Sequence, residues 1–241
     1  MLEHAHDVIR KRKSIRKYDM EPLDAGTLEI VATQIKALRP LFPNIDYAVE
    51  IANKTKGLFN VKAPHYLLFS SQIADGAYEN IGFIGQQMDL FFASMGIGAC
   101  WLGASKPMQD TKTTAQEDST LPFVICMAFG RPAQPLYRTL QQFKRKPLHA
   151  ISQGHDKRLE AARLAPSAIN GQNWYFVAEG GKIYCYRKKL NPIQALIYDK
   201  MVDIDMGIAI CHIAAESADF CFIKETNAPE RSGYVYMGTV C

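Results

Sequence analysis

Asp75-Gly-Ala-Tyr-Glu-Asn-Ile-Gly-Phe-Ile-Gly-Gln-Gln-Met-Asp-Leu-Phe-Phe-Ala-Ser-Met95, followed at once by Gly96-Ile-Gly-Ala-Cys-Trp-Leu-Gly103, is the stretch from which the fold is read. Ile81, Ile84, Met88, Phe91, Phe92 and Met95 recur at spacings of three and four. That spacing predicts a helix over 75–95 with one apolar face. The glycines then turn the chain into a short apolar run. Upstream, 47–52 and 66–71 read as strands joined by a polar connection over 53–64. Before them, Asp24 is an N-cap for a helix over 25–38 that Pro40 and Pro43 close, and a short helix over 3–12 ends in Arg10 to Lys13. Downstream, 121–129 reads as a buried strand, closed by Gly130, Pro132 and Pro135.

A basic, proline-containing crossing segment follows over 131–150. After it come a helix over 156–164 stopped before Pro166, and a hairpin of 174–178 and 183–187 turned at Gly180-Gly181. A second apolar-faced helix over 202–218 is next, then strands at 220–224 and 234–238. The two parts share an order of helix, two strands, long apolar helix and strand, without a residue-level repeat. The expected division is 1–135, a crossing basic segment 136–150, and 151–241. The expected fold is α+β: a central, mainly antiparallel sheet flanked by helices, in two similar halves.

The chain of 241 residues is 48% hydrophobic and 22% charged, which is ordinary globular composition. Its net charge of +4 gathers at Arg10 to Lys17, at Lys144 to Lys146 and at Arg187 to Lys189. Such clusters suit a phosphorylated small molecule better than a nucleic-acid duplex. Six cysteines form no Cys-x-x-Cys pair, which argues against zinc and against a disulfide scaffold and suits a reducing cytoplasm. The weakly polar stretch 90–104 is too short for a membrane span, and the first residues contain no signal-peptide core.

Three constellations carry chemistry. In Arg12-Lys13-Ser14-Ile15-Arg16-Lys17-Tyr18, two arginines and a serine alternate along an extended segment and make a phosphate clamp of charge-assisted bonds. Taken alone, it reads equally as a solvated helix end. In Ala165-Pro166-Ser167-Ala168-Ile169-Asn170-Gly171-Gln172-Asn173-Trp174, amides and a hydroxyl suit the polar edge of a planar heterocycle, or plain turn chemistry. In Gly96 to Gly103, small residues permit close backbone approach to a ligand, or merely a tight turn into a core strand.

Together these segments resemble the nitroreductase family. That family has an Arg-x-Ser-x-Arg-x-aromatic opening, an Ala-Pro-Ser-x-x-Asn-x-Gln-Pro-Trp loop and a Gly-Leu-Gly-x-x-Trp-hydrophobic-Gly segment. Its basic Lys-Pro-Leu stretch is matched by Arg145-Lys146-Pro147-Leu148. Two departures stand out. Asn173 replaces the proline of Gln-Pro-Trp, and Ser167 follows Ser14 by 153 positions (167 − 14) instead of a few tens. The usual members are homodimers with flavin at the subunit interface, so the altered order resembles a pseudo-dimer in one chain with one complete site.

The resemblance implies FMN as cofactor and NAD(P)H as co-substrate. It implies ping-pong reduction of a small aromatic acceptor: a nitroaromatic, a quinone or a flavin. It assigns the phosphate to Arg12, Ser14 and Arg145 with Lys13 and Lys144 beside them, and the pyrimidine edge or ribityl chain to Arg16. Pro166, Ser167, Ala168, Asn170 and Gln172 line the other side of the ring. The backbone N–H of Gly103 or Leu102 faces flavin N5, and no side chain is needed as catalyst. A flavin-binding protein without turnover and a dehalogenase-like enzyme are the alternatives. The chain is expected to be cytoplasmic, as monomer or homodimer, with neither nucleic acid nor membrane as partner and no metal. His4 and His6 read as a solvated pair on an exposed helix, His212 as a satisfied core or interface residue, Cys100 and Cys211 as small core residues, and Asp203 and Asp205 as a helix start explained by capping and the helix dipole.

Overall fold

A computed structural model describes residues 5–57, 61–108 and 121–241. His4 and the first residues of the helix expected over 3–12 lie outside them. The first helix, α1 (Ala5–Ile9), stops where Arg10 folds its guanidinium back onto the His6 carbonyl (2.8 Å) and onto Glu216 (2.7 Å). Helix α2 (Ala25–Lys36) starts as the sequence predicts, with Asp24 accepting the Thr27 N–H. Strands β1 (Tyr47–Ala52), β2 (Thr55–Gly57) and β3 (His65–Ser71) follow. The long helix α3 (Ala77–Ser94) then leads to β4 (Gly98–Leu102), β5 (Ser105–Pro107) and β6 (Phe123–Gly130). Pairing of β2 with β5 makes part of what reads as a polar connection into one strand of a small two-stranded sheet.

A short helix α4 (Leu148–Ile151) and strand β7 (Ser152–Gln153) open the second half. Helix α5 (Leu159–Leu164) and the hairpin of β8 (Trp174–Glu179) and β9 (Lys182–Lys188) come next. Gly180 and Gly181 turn that hairpin with φ of 58° and 79°, conformations that glycine adopts without steric cost. Helix α6 (Pro192–Ala215) is followed by β10 (Phe222–Ile223) and β11 (Tyr234–Val240).

Two sequence expectations need correction. Helix α6 begins ten residues before 202, because Asn191 caps it by accepting the Gln194 N–H (2.9 Å) and Pro192 fits its first turn. Asp203 and Asp205 therefore stand in mid-helix and cap nothing at its start. Helix α3 is also not an ordinary half-buried helix. Sixteen of its eighteen residues are buried, among them Glu79, Asn80, Gln86, Gln87 and Asp89. Its polar face meets other protein instead of water.

The reason lies in the architecture. One sheet has the order β1-β3-β6-β4, all antiparallel. The other has the order β10-β11-β9-β8, antiparallel, with β7 added in parallel at the β8 edge. Matching β1 to β8, β3 to β9, β6 to β11 and β4 to β10 superposes the two orders. The halves are thus alike in topology, with α3 and α6 as corresponding helices packed against each other at the centre.

The crossing of those helices is reciprocal. A methyl group on Gly82 of α3 would overlap the Ile204 carbonyl of α6, and one on Gly207 of α6 would overlap the Glu79 carbonyl of α3. Both pairs obey one sequence offset, 125 (204 − 79 and 207 − 82). The same offset relates Asn80 to Asp205. Asn80 Oδ1 accepts the Leu41 and Phe42 N–H groups after Pro40 (2.7 and 3.0 Å). Asp205 accepts the Ala168 N–H after Pro166 (2.9 Å). The internal relation is carried by backbone positions and contacts, which explains why no residue-level repeat is visible.

Candidate functional site

The site forms where the N-terminal extended segment, β4, the loop after α5 and the middle of α6 converge. Ile15 fixes the first of these. Its N–H donates to the Ala99 carbonyl (2.9 Å), and its buried side chain lies over Gly98, where a Cβ would come within 2.8 Å of it. Ser14 and Arg16 flank Ile15, so both point to the opposite side and into the cleft.

The cleft has two joined chambers. One, of about 590 Å³, is edged by Lys13, Arg16, Arg138, Lys144 and Arg145, with Ser14, Ser167 and Asn170 between them. Its lining contains no carboxylate among the described residues. The other, of about 440 Å³, is walled by Trp101, Gly103, Ile125, Ala168, Met201, Ile204 and Ile208, with Asp205 among them. Ser14, Arg16, Pro166, Ser167 and Ile169 border both.

The cations of the first chamber lie close enough to repel one another. Burial, together with the charges of Arg12, Arg138 and Arg163, lowers Arg145 to about 10. Burial with Arg12 and Arg16 lowers Arg138 to about 10. Both remain charged at neutral pH and await an anion. Arg145 is held by Asn170 Oδ1 (2.6 Å) and the Leu164 carbonyl (3.3 Å), and Arg138 by the Arg12 carbonyl (3.1 Å) and the Phe143 ring.

The loop after α5 is bound from both sides. Lys144 O accepts from Asn170, Lys146 N–H donates to Gln172 Oε1 (2.8 Å), and Lys146 Nζ donates to the Gly171 carbonyl (2.8 Å). These contacts hold Ile169, Asn170 and Gln172 at φ of 47°, 58° and 48°. A β-branched residue at positive φ is strained, and such strain persists only where neighbours impose it. Ile169 is nonetheless 82% exposed, with its side chain held over the junction of the chambers.

Of the residues expected from sequence, Lys13, Ser14, Arg16, Gly103, Lys144, Arg145, Pro166, Ser167, Ala168 and Asn170 line the cleft. Arg12, Leu102 and Gln172 stand behind its walls, each buried. Arg12 pairs with buried Asp89 (Nε to Oδ2, 2.9 Å) and reaches Ser14 Oγ with Nη2 (3.3 Å), while its buried Nη1 has no hydrogen-bond partner. Gln86 donates to Asp89 (2.8 Å), accepts from the Trp101 indole (3.2 Å) and meets His212 (3.0 Å). His212 donates through Nδ1 to the Ala161 carbonyl (2.9 Å), and burial pushes its pKa down to about 3, so it is the neutral core histidine that the sequence suggests. This network ties the clamp to α3, α5 and α6.

Sequence reasoning missed Arg138, Gln134, Gln142, Tyr198, Met201 and Asp205. None lies in a motif. The basic character of 131–150 was the one signal pointing to Arg138. The residues present fit FMN: cations without a counter-charge at one end, an apolar slot at the other, and Gly103 in the wall of that slot. There a Cβ would stand 3.1 Å from Met201 Sδ, so a larger residue would narrow the slot.

Among the described residues, no helix is long and apolar enough to cross a membrane, and no group of His, Cys, Asp or Glu is arranged to hold a metal. No curated protein matches the chain. Among solved structures, a "putative nitroreductase" from Thermotoga maritima is 20% identical, with a TM-score of 0.65 over 100% of this chain and 94% of that one. An "FMN-dependent Nitroreductase" from Clostridium difficile is 15% identical, covering 60% of this chain and 99% of that one with a TM-score of 0.43. The first of these likenesses is one of fold. The family model described as "Putative TM nitroreductase" matches residues 5–217, and on that match the chain belongs to this nitroreductase family.

Proposed function

We propose that the cleft binds FMN, one per chain, and that the protein passes reducing equivalents from NAD(P)H to a small aromatic acceptor by a ping-pong mechanism. The observation that carries this reading is the pairing of the two chambers: five cations without a carboxylate at one end, continuous with an apolar slot at the other. Membership of a nitroreductase family supports it.

Lys13, Ser14, Lys144, Arg145 and Arg138 hold the phosphate by charge-assisted bonds. Arg12, one step behind, orients Ser14. Arg16, at the junction, places a cation beside the polar edge of the ring, where negative charge gathers on reduction. Pro166, Ser167 and Ala168 cover one side of the ring, and the Gly103 backbone approaches the other. FMN, when bound, supplies the hydride chemistry. The chain's own residues bind and orient it and exclude water with Ile125, Ile204 and Ile208. In this reading 1–135 supplies clamp and glycine turn, 136–150 adds cations from the crossing segment, and 151–241 supplies the Pro166 loop.

The test is the visible absorption spectrum during an FMN titration, then addition of NADH or NADPH without oxygen. Saturation at one FMN per chain with bleaching by either nicotinamide is expected. Binding without bleaching would remove the reductase activity and leave a flavin carrier. Failure to bind FMN would overturn the reading.

A further inference from the structure

Asn80 and Asp205 perform the same structural task at corresponding positions of α3 and α6. Asn80 accepts two backbone N–H groups just after Pro40 and Asp205 accepts one just after Pro166, and so each pins the loop that follows its half's helix. An amide suffices for that task in the first half. The fold therefore does not require a carboxyl in the second.

The surroundings of the two differ in one respect. In the first half, the Phe42 ring packs over Gly76, where a Cβ would stand 2.7 Å from it, and meets the Phe222 ring edge-on at 5.8 Å. At the position corresponding to Phe42 stands Ala168, and there the apolar chamber opens with Asp205 in its wall. Asp205 stands in the wall of the apolar chamber, whereas Asn80 is not among the residues lining the cavity of about 520 Å³ beside Pro40 and Leu41 in the first half. Both Asp205 oxygens lie within reach of one N–H group (2.9 and 3.1 Å), and among the described residues no cation pairs with it.

We propose that Asp205 is a proton-exchanging residue of the apolar chamber, taking up one proton from solvent as the planar end of the ligand enters and returning it as the ligand leaves. The inference rests on the FMN reading of the cleft. Asp205 is only 4% exposed in the free protein, and a flat aromatic ring filling the chamber displaces the water that remains on its open side, so the carboxylic acid is favoured further. The acid then has an O–H to offer the ring's heteroatom edge, and no covalent bond to the ligand forms. Burial already raises Asp205 to about 8 in the free protein, so uptake occurs near that pH. The other charged or titratable groups lining the apolar chamber are Arg16 from the N-terminal segment, Cys100 from β4 and Tyr198 from α6 itself, and Lys188 from β9 lines a smaller pocket of about 240 Å³ that Asp205 also borders. None of them offsets the burial of Asp205.

The experiment is calorimetric titration of the full chain with FMN at pH 8 in Tris and in HEPES, with FMN affinity measured by fluorescence between pH 7 and 9. The FMN phosphate, with a pKa of about 6, keeps its charge over that range, and Arg138 and Arg145 titrate alike in every variant compared. Expected are net proton uptake and an affinity that falls roughly three- to tenfold from pH 7 to 9, because one group changes its proton occupancy on binding. Asp205→Asn, which keeps the acceptor that Asn80 uses, should bind FMN without uptake and with a flat profile. No uptake by the wild-type chain, read from the two buffers alone, would overturn the inference, as would an Asp205→Asn profile identical to wild type. Absence of FMN binding by the wild-type chain would instead overturn the proposed function, and this inference with it.

Discussion

Arg12 and Arg145 separate two jobs that basic residues do at one site. Arg12 is 1% exposed and neutralises an Asp89 that is itself 2% exposed. Removing one member of such a pair strands the other charge in the core. Arg12→Ala should therefore cost about 3–5 kcal/mol of stability, read as a shift of the urea midpoint. Arg145 touches no carboxylate and lines the basic chamber. Arg145→Ala should leave stability nearly unchanged and weaken FMN binding by about 1.5–3 kcal/mol, roughly ten- to a hundredfold, read by fluorescence titration. Equal effects of the two substitutions on FMN affinity would erase the distinction. Spacing in the sequence places Arg12, Ser14 and Arg16 on one side of an extended chain, and Ser14 and Arg16 do line the cleft. What spacing does not give is the depth of each residue, because Asp89, the partner that draws Arg12 inward, sits on an element read as apolar.

At the level of elements, the crossing of α3 and α6 leaves room for hydrogen atoms only. Gly207→Ala would force its methyl into the Glu79 carbonyl, which no rotamer change relieves, since both atoms belong to or adjoin backbone. The helices must separate, at a cost of about 3 kcal/mol from overpacking. Gly26→Ala, in the first turn of α2, meets nothing closer than Asp24 Oδ1 at 3.4 Å and serves as the comparison. A chemical-denaturation midpoint for Gly207→Ala equal to that of Gly26→Ala would contradict the close crossing. Most elements were legible because their periodicity and caps agree: Asp24 for α2, Gly180-Gly181 for the hairpin. The first turns of α6 were not. Ile193 and Leu196 are 78% and 89% exposed, so the start of that helix shows no apolar face to read. The strain at Ile169 was equally hidden, because it is imposed by Lys144, Arg145 and Lys146 from another part of the chain.

For the whole molecule, each half has a cavity beside its proline loop and the linings differ: the one beside Pro40 and Leu41, of about 520 Å³, has Arg39 as its one basic residue among those described, against five in the basic chamber. Among the described residues, no counterpart of the Arg12 to Arg16 segment lies against β10. Equilibrium dialysis should give one FMN per chain, and two would mean that the cavity beside Pro40 binds it as well. The pH dependence of stability follows from buried carboxyls. Burial raises Asp205 to about 8 and, with Asp203 nearby, Glu79 to about 7. A carboxyl whose pKa is higher folded than unfolded favours the folded state most at low pH. Its contribution declines above about pH 4 and is gone above the folded value. The buried neutral His212 acts in the opposite sense, and its contribution is lost as pH falls below about 6.5. The melting temperature should accordingly fall between pH 6 and 9. Asp205→Asn should lessen that fall, as differential scanning calorimetry of both proteins would show.

The single-chain crossing at Gly82 and Gly207 also bears on how such a site can change over evolutionary time. In an assembly of identical subunits, every substitution is made twice, and a residue useful in one cleft is imposed on its twin. Here Asn80 and Asp205, or Phe42 and Ala168, occupy equivalent places yet are encoded separately. One cavity is free to keep a single basic residue while the other gathers five.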